Sequence, residues 1–512
     1  MPAEELRTLA KRPALWAGLA ALAACGYGYA MSRCAVGIDD LAIDTYMGGV
    51  FLLQSRVTEY LLGLTGLLNC QPFWPELFAA VCLALAGVVL AAVVYAAAHR
   101  APSTGGALLL AGGLLLFPFH AEAFAYSNLI LTAFGLLLAA AALALCMRHM
   151  LQGGGMLPAL AGCVCLAFSL GCYESMAQAW LTLVAVLLFT DAAFAPKASR
   201  RWHWWALPLV RGLWPLAAGL VLRAGLSKAL CLALGVTGSD GAAAKTIYWT
   251  RRGSLAEALR IFLREFLCYY GARALAVPAL ALVLLACLGL VVWTAVRRRG
   301  NGCGVLAAGL LLTVFAMGIL QGTGSQMARA SQSFAVFVPF VCWLAVQNRP
   351  RLPAAALAAA LLAVECLALN AAFRADRVRW QYEETLLRTA AAQLDALNPD
   401  RTLPVAFAGV PELPDEVTHR LPEGHPAYKA EWVLSVTLGM PMGDLYPYEE
   451  VTHSVIEWAQ SAFGGHEQMY LLMDYIGRPC VRCTPEQQAA ADAAELAPGT
   501  VTALENCLVV QW

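Results

Sequence analysis

The class of fold is decided by stretches such as ELFAAVCLALAGVVLAAVVYAAA (residues 76–98), in which no charged residue follows the opening glutamate. An α-helix rises about 1.5 Å per residue and the hydrocarbon core of a bilayer is about 30 Å thick, so about twenty apolar residues predict a membrane span. Comparable runs recur over the first 370 residues. The whole chain is 60% hydrophobic and 13% charged, whereas a soluble domain carries about 25% charged residues. The sequence therefore predicts an all-α polytopic membrane protein.

Basic residues cluster in every second connection between the apolar runs, starting with Arg7, Lys11 and Arg12 before the first one. The positive-inside rule predicts that these connections are cytoplasmic. We therefore expect the first apolar run to be retained as a span, with a cytoplasmic N-terminus and an extracytoplasmic C-terminus in the cell membrane. The net charge of +0 gives no support to nucleic-acid binding. About eleven spans are predicted, at 14–30, 76–98, 107–119, 128–147, 156–172, 176–192, 204–234, 274–296, 303–321, 333–347 and 353–371.

Two adjacent carboxylates, Asp39 and Asp40, follow the first predicted span. A carboxylate at the membrane surface reaches both water and a lipid headgroup, so this pair is a candidate general base for a lipid-linked substrate. Asp39 also suits the N-cap of a helix that begins near Leu41, and both interpretations stay open. Apolar residues at helical spacing over 41–61 predict an amphipathic helix along the membrane surface.

Two further outer loops place acids and aromatic rings near membrane depth. The stretch 117–126, with Glu122 and Tyr126, suits a binding cleft at a broken helix end and equally suits an interfacial aromatic belt. In the very tight third outer loop Glu174 follows Tyr173, and an ionisable group at this depth is a functional candidate.

Three cations are candidate phosphate ligands on the same predicted side of the membrane. Arg223 and Lys228 lie towards the outer end of the seventh predicted span, and Arg329 lies in the loop before the tenth. Guanidinium and ammonium groups there could neutralise the phosphate of a lipid carrier. Arg223 and Lys228 could instead pair internally with Glu122 or Glu174, and Arg329 could be an interfacial anchor.

The composition changes after Asn370, and 373–512 is predicted to form an extracytoplasmic α/β or α+β domain that follows the 1–372 membrane domain. We expect no cofactor, and Cys480 and Cys483 do not predict a metal site, because this lone C-x-x-C lacks two further ligands at suitable spacing. A local disulfide or two free thiols fits this pair better, and the same alternatives apply to Cys34 and Cys70. A charged helix is predicted at 374–397 and strands at 403–409, 468–476 and 501–510.

Three of these stretches, taken in order, resemble the Gtr-type glucosyl transferase family of multi-span membrane enzymes: the Asp39-Asp40 loop, Phe117–Tyr126 and Ser169–Ser175. The resemblance covers about the first 350 residues. The chain has Tyr173-Glu174 where the family tends to show a Tyr-Gln pair. Its Arg56 stands for the arginine that is usual in the early loop of the family.

The resemblance implies a GT-C-like fold and a hexosyl transfer, with glucose as the expected sugar. The sugar would move from a polyprenyl-phosphate carrier to a cell-surface glycan acceptor on the outer face, in one inverting displacement. Protein cations would suffice for a monophosphate leaving group, so no metal is implied. The implied roles are general base for Asp40 or Asp39, with Asp40 preferred, substrate binding for Glu122, Tyr126, Tyr173 and Glu174, and phosphate binding for Arg223, Arg329 and Lys228.

Two other functions fit the same features. A lipid-linked glycan flippase or transporter also carries charges within broken helices, although the odd span number and the lack of a detectable inverted repeat argue against it. A polymerase or ligase of surface glycans would use the same class of substrate without needing the acidic pair. Substitution of Asp39 and Asp40 distinguishes these functions.

Overall fold

The structure is a computed structural model that describes most of the chain. The described residues are 2–32, 35–37, 40–69, 73–125, 129–194, 204–238, single residues between 254 and 267, 278–297, 302–314, 316, 331–348, 351–421, 424–439, 452–461 and 466–512.

Twelve labelled helices form the N-terminal three quarters of the described chain, and they pack around one large apolar core. Serine and glycine set some of their ends: Ser103 Oγ accepts a hydrogen bond from the Gly106 amide at the start of α4, and α5 ends at Gly153, whose φ is 75°. The helices are α1 Pro2–Ala10, α2 Pro13–Ser32, α3 Trp74–Ala97, α4 Thr104–Leu116, α5 Thr132–Gln152, α6 Met156–Leu170, α7 Met176–Phe194, α8 Ala206–Leu234, α9 Pro278–Arg297, α10 Cys303–Thr313, α11 Ser333–Asn348 and α12 Arg351–Leu397.

The predicted spans correspond to helices α2 to α12, but their number as spans is not confirmed. Within the described ranges, six helices are long and apolar enough to cross a membrane, namely α2, α3, α5, α7, α8 and the part of α12 from Ala358. Four other apolar helices, α4, α6, α10 and α11, are shorter, at 11–16 residues as described. These long apolar helices identify the chain as a membrane protein. The count of about eleven crossings stays a prediction.

The loop after α2 contains short helical pieces and not the single amphipathic helix expected over 41–61. The chain leaves regular helical geometry at Gly49, whose φ is 130°, and at Ser55, whose φ is 60°. These backbone angles break the helix although the apolar spacing continues. The pieces are Asp40–Ala42, Ile43–Thr45, Tyr46–Val50, Phe51–Leu53, Val57–Gly63 and Leu67–Asn69.

The close approach of α3 and α4 depends on Gly87. A Cβ atom added at Gly87 would overlap the backbone of Ala111 on α4, and no side-chain rotation could relieve that contact. Small residues at a helix interface let two backbones approach closely in membrane proteins.

We therefore expect Gly87→Val to destabilise the bundle by about 1–3 kcal/mol or more, because α3 and α4 must separate to admit the side chain. Gly289→Val on α9 is the matched control, since no atom of the described residues lies within 4 Å of a Cβ added there. The thermal midpoints of the two purified variants in detergent should differ by several degrees, with Gly289→Val closer to the wild type. Equal midpoints would show that the bundle does not need the small residue at Gly87.

Helix α12 continues far beyond a bilayer. Its 47 residues span about 70 Å, against about 30 Å for the hydrocarbon core. The segment 352–369 is apolar except for Glu365, whereas 374–397 carries regularly spaced charges, as the sequence predicted. Only the first part of α12 is therefore suited to the membrane, and Arg374 and the residues after it lie beyond the apolar segment.

The C-terminal region, here residues 404–512, contains a four-stranded sheet in the order β2-β1-β4-β3. Strand β1 runs parallel to both of its neighbours, and β3 and β4 form an antiparallel hairpin. One face of the sheet packs on α12 through Phe407, Val510 and Leu387, and Ala491 covers the other face. The elements are β1 Pro404–Ala408, α13 Pro426–Leu438, α14 Val455–Ser461, α15 Glu467–Tyr475, β2 Val481–Arg482, α16 Pro485–Ala493, β3 Thr500–Leu504 and β4 Cys507–Gln511, with a short helix at Asp415–Thr418.

The strand predicted at 403–409 is confirmed, but the other two strand predictions need correction. The stretch 468–476 is helical in α15, because Met469, Leu472 and Met473 recur at helical spacing and are fully buried. The stretch 501–510 is two strands, since Leu504 pairs with Cys507 across a two-residue turn. Short apolar runs do not by themselves distinguish a strand from a buried helix.

Candidate functional site

The loops that follow α2, α4 and α6 meet at one end of the helical bundle, here called the loop end. The Thr58 amide of the first loop donates to the Gly171 carbonyl of the third at 3.1 Å. Phe51 of the first loop packs with Leu131 of the second in a small buried cluster. The three stretches singled out from the sequence therefore lie at the same end of the molecule.

Asp40 closes a turn in the first loop. Its Oδ2 accepts a hydrogen bond from the Gly37 amide at 2.7 Å, and the helical turn Asp40–Ala42 begins at the same residue. The side chain is partly exposed, so it keeps access to solvent. Asp39 lies outside the described residues, and its role as a cap or a base stays a prediction.

The same loop is part of the hydrophobic core of the C-terminal region. Val36 is 3% exposed and belongs to the cluster that contains Trp380 of α12 and Leu472 of α15, and Leu41 packs against this cluster. The loop that carries Asp40 is thus held by the C-terminal region as well as by the bundle.

Asp376 lies near this loop on α12. Burial raises the pKa of Asp376 to about 6, the Arg379 guanidinium opposes this rise, and the negative charges of Asp40 and Glu383 add to it. A carboxylic acid that titrates near neutral pH thus senses the charge of Asp40.

This pKa predicts a pH-dependent contribution to stability. The pKa of Asp376 rises from 3.8 in a free chain to about 6 in the folded protein, so the folded state binds an additional proton between these values. The stabilisation is full below about pH 4 and is lost as the pH rises through 6, a total of about 3 kcal/mol at about 1.4 kcal/mol per pKa unit. Thermal midpoints measured from pH 4 to 7 should show this decline in the wild type relative to Asp376→Asn. Parallel curves for the two proteins would contradict it.

A cluster of two arginines and two glutamates joins the first and third loops to α8. Glu174 contacts Arg56 Nη2 through Oε2 at 3.2 Å and Arg223 Nη2 through Oε1 at 3.3 Å. Arg56 Nη1 also lies 3.7 Å from Glu59 Oε2, and its guanidinium lies over the Tyr173 ring at 4.6 Å. Desolvation tends to raise the pKa of Glu174, but Arg56 and Arg223 hold it below its ordinary value. Glu174 is therefore an ionised bridge between two cations.

Arg223 is anchored mainly by backbone. Its Nε donates to the Ser55 carbonyl at 2.7 Å and its Nη2 to the Gln54 carbonyl at 3.0 Å. Of the two alternatives for this residue, the structure thus shows the internal ion pair with Glu174, and a phosphate role stays a prediction. Its Nη1 makes no hydrogen bond to the described residues, so one edge of the guanidinium keeps an available donor.

The other predicted site residues are not in this cluster as described. Glu122 is 2% exposed on the short helix His120–Ala125, which packs on α12 through an edge contact of Phe124 with Phe373 at 5.8 Å. Lys228 is exposed on α8, about one and a half turns beyond Arg223. Tyr126 and Arg329 lie outside the described residues.

Sequence reasoning missed Asp376, Arg379 and Glu383 as neighbours of the first loop. Their spacing of three and four residues places the three side chains on one face of α12, a pattern that was available in the sequence. Glu59, three residues after Arg56, was missed in the same way.

Of the two predicted cysteine pairs, the structure describes Cys480 and Cys483. Within the described ranges, no group of three or more His, Cys, Asp or Glu side chains is arranged to hold a metal ion. Cys480 and Cys483 are free, and burial raises the pKa of Cys480 to about 11, which keeps it a neutral thiol. Cys34 and Cys70 lie outside the described residues, so their pairing stays a prediction.

The chain matches a known protein family over more than half of its length. The family model described as Glucosyl transferase GtrII matches residues 28–345, from the end of α2 into α11. No curated protein and no solved structure matches the chain. The matched range contains Asp40 and the Arg56–Glu174–Arg223 cluster, and it ends before the C-terminal region.

Proposed function

Because the chain belongs to the glucosyl transferase GtrII family, we propose that this membrane glycosyltransferase takes glucose from a polyprenyl-phosphate carrier. The acceptor is a cell-surface glycan, and the reaction takes place on the outer face of the cell membrane. In this proposal residues 1–372 perform the transfer, and 373–512 lie above them on the outer side. The match to the family supports the transfer of a glucosyl group, and the charges at the loop end support the choice of carrier.

The reaction is a single displacement at the anomeric carbon. An acceptor hydroxyl attacks that carbon, the bond from the carbon to the phosphate oxygen breaks, and the product has the inverted anomeric configuration. The hydroxyl proton passes to Asp40, whose side chain is partly exposed and can therefore be reached by an acceptor, as a general base requires. Polyprenyl phosphate departs with the electrons of the broken bond.

The departing phosphate gains negative charge, and cations fixed in advance stabilise that charge best. Arg223 is held by two backbone carbonyls and keeps one donor edge, which we assign to the phosphate. Arg56, on the other side of Glu174, adds a second positive charge. We further propose that Lys228 and Arg329 contribute to phosphate binding and that Tyr126, Tyr173, Glu122 and Glu174 contact the substrates.

The observation that carries this proposal is the composition of the first loop. That loop supplies Asp40 and Arg56, and its carbonyls at Gln54 and Ser55 hold Arg223. One segment thus brings a carboxylate and two guanidiniums to the loop end, which are the two kinds of group that the displacement requires.

A donor panel tests the proposal. We expect purified protein in detergent to transfer radiolabelled glucose to a surface glycan from polyprenyl-phosphate glucose and not from UDP-glucose. Transfer from the nucleotide sugar alone would contradict the choice of carrier. In proteoliposomes, movement of the intact glucolipid across the bilayer without transfer would show a flippase instead.

A further inference from the structure

A buried arginine links the loop of Asp40 to the C-terminal region. Arg379 of α12 is 1% exposed, and its guanidinium contacts three partners. Nη2 donates to the Val36 carbonyl at 2.6 Å and to Asp376 Oδ1 at 2.6 Å, and Nη1 donates to Glu383 Oε2 at 2.7 Å. Because these bonds point in different directions, the planar fork of an arginine suits the position and a lysine does not.

The Val36 carbonyl and the Gly37 amide belong to the same peptide group. Arg379 donates to the carbonyl of this peptide group. The N–H of the same group, on Gly37, donates to Asp40 Oδ2 at 2.7 Å. A peptide group is planar, so fixing the carbonyl also fixes the direction of the N–H. The orientation of the Asp40 carboxylate is therefore coupled to Arg379 through one rigid unit.

The far side of the network reaches the C-terminal region. Glu383 is fully buried, and its Oε1 accepts hydrogen bonds from Ser454 Oγ at 2.7 Å and from the Ile456 amide at 3.2 Å at the start of α14. One continuous series of hydrogen bonds thus runs from α14 through Glu383 and Arg379 to the peptide that holds Asp40.

We infer that Arg379 is a positioning residue, which acts through the Val36-Gly37 peptide to aim the Asp40 carboxylate at the acceptor hydroxyl. The effect on the acceptor hydroxyl rests on the proposed function, whereas the anchoring of the loop by Arg379 does not. It also gives the C-terminal region, which lies outside the range matched by the family, a part in the reaction: α14 fixes Glu383, and Glu383 fixes the guanidinium.

Three variants test this inference. Arg379→Lys keeps the charge between Asp376 and Glu383 but loses the fork. Ser454→Ala leaves Arg379 in place and removes one support of Glu383. Arg388→Gln is the matched control, because this arginine of the same helix is 61% exposed and pairs only with Glu384 among the described residues.

Transfer kinetics give the first readout. Misplacement of a catalytic group by about 1 Å costs up to about 100-fold in rate, so we expect Arg379→Lys to lower kcat by about 10- to 100-fold. The KM for the glucolipid should change less than about twofold, since the phosphate ligands are untouched. Ser454→Ala should lower kcat by a smaller factor, and Arg388→Gln should leave it unchanged. An unchanged kcat in Arg379→Lys, or a loss of kcat in Arg388→Gln equal to that in Arg379→Lys, would overturn the inference.

Hydrogen–deuterium exchange gives a readout that does not depend on the reaction. In Arg379→Lys and Ser454→Ala the peptide that covers 35–42 should exchange faster, while β1 and β4 keep their protection. Faster exchange in the strands as well would show a general loss of stability, and unchanged exchange at 35–42 would show that Arg379 does not hold the loop. If the wild type transfers no glucose but the exchange pattern is as expected, the proposed function fails and the anchoring of the loop stands.

Discussion

Asp40→Asn is expected to lower the rate of glucosyl transfer by about 100- to 10,000-fold, the range that a general base contributes. The asparagine Oδ1 can still accept the hydrogen bond from the Gly37 amide, so the turn should persist. What disappears is the capacity to take the proton of the acceptor hydroxyl. Binding of the glucolipid should remain within about twofold of the wild type, because the phosphate ligands lie elsewhere in the site. Single-turnover transfer and equilibrium binding of the labelled glucolipid measure the two effects separately.

Asp44→Asn is the matched control for this substitution. Asp44 is an exposed carboxylate of the same loop, four residues further on, and we expect its loss to leave the rate within about twofold. Asp39→Asn should have a smaller effect than Asp40→Asn if Asp39 caps the turn. A large loss in Asp39→Asn together with a normal rate in Asp40→Asn would move the base to Asp39.

Arg223→Gln is expected to lower transfer by about 100- to 1,000-fold, as does the loss of one fixed donor to a developing negative charge. The change removes the positive charge that faces the departing phosphate and one of the two cations on Glu174. We expect both a higher KM for the glucolipid and a lower kcat, because phosphate is present in the ground state and gains charge in the transition state. Steady-state kinetics with varied glucolipid concentration measure this division.

Lys228→Gln provides the comparison on the same helix. Lys228 is exposed and lies about one and a half turns beyond Arg223, so we expect a decrease of less than about tenfold, with a weaker effect at high salt. A larger loss in Lys228→Gln than in Arg223→Gln would show that the phosphate lies further along α8. Normal kinetics in Arg223→Gln would leave the arginine as a structural ion pair of Glu174.

The helices were predictable because apolar runs and helical spacing are local properties of the sequence. The charged segment 374–397 and the strand at 403–409 were found for the same reason. The stretch 468–476 was misjudged as a strand, although its apolar residues recur at helical spacing in α15. The number of membrane crossings does not follow from apolar composition alone, since several apolar helices here are short.

The site was predictable only in part. The sequence suggested Arg223 and Glu174 separately and offered their pairing as one alternative, but only the packing of α8 against the loops brings them to 3.3 Å. The charges of Asp376, Arg379 and Glu383 share one face of α12, and their local pairing could have been predicted from spacing. The bond from Arg379 to Val36 joins residues 343 positions apart, and no local pattern in the sequence indicates it.

The decisive experiment on the proposed transfer follows the anomeric carbon itself. Wild-type protein is incubated with polyprenyl-phosphate glucose labelled with ¹³C at C1 and with a surface glycan acceptor, and NMR records the label. The label should move to the glycan with the opposite anomeric configuration as polyprenyl phosphate is released. Transfer with retained configuration would contradict the single displacement and its Asp40 base, and a label that stays on the carrier would contradict glucosyl transfer from this donor.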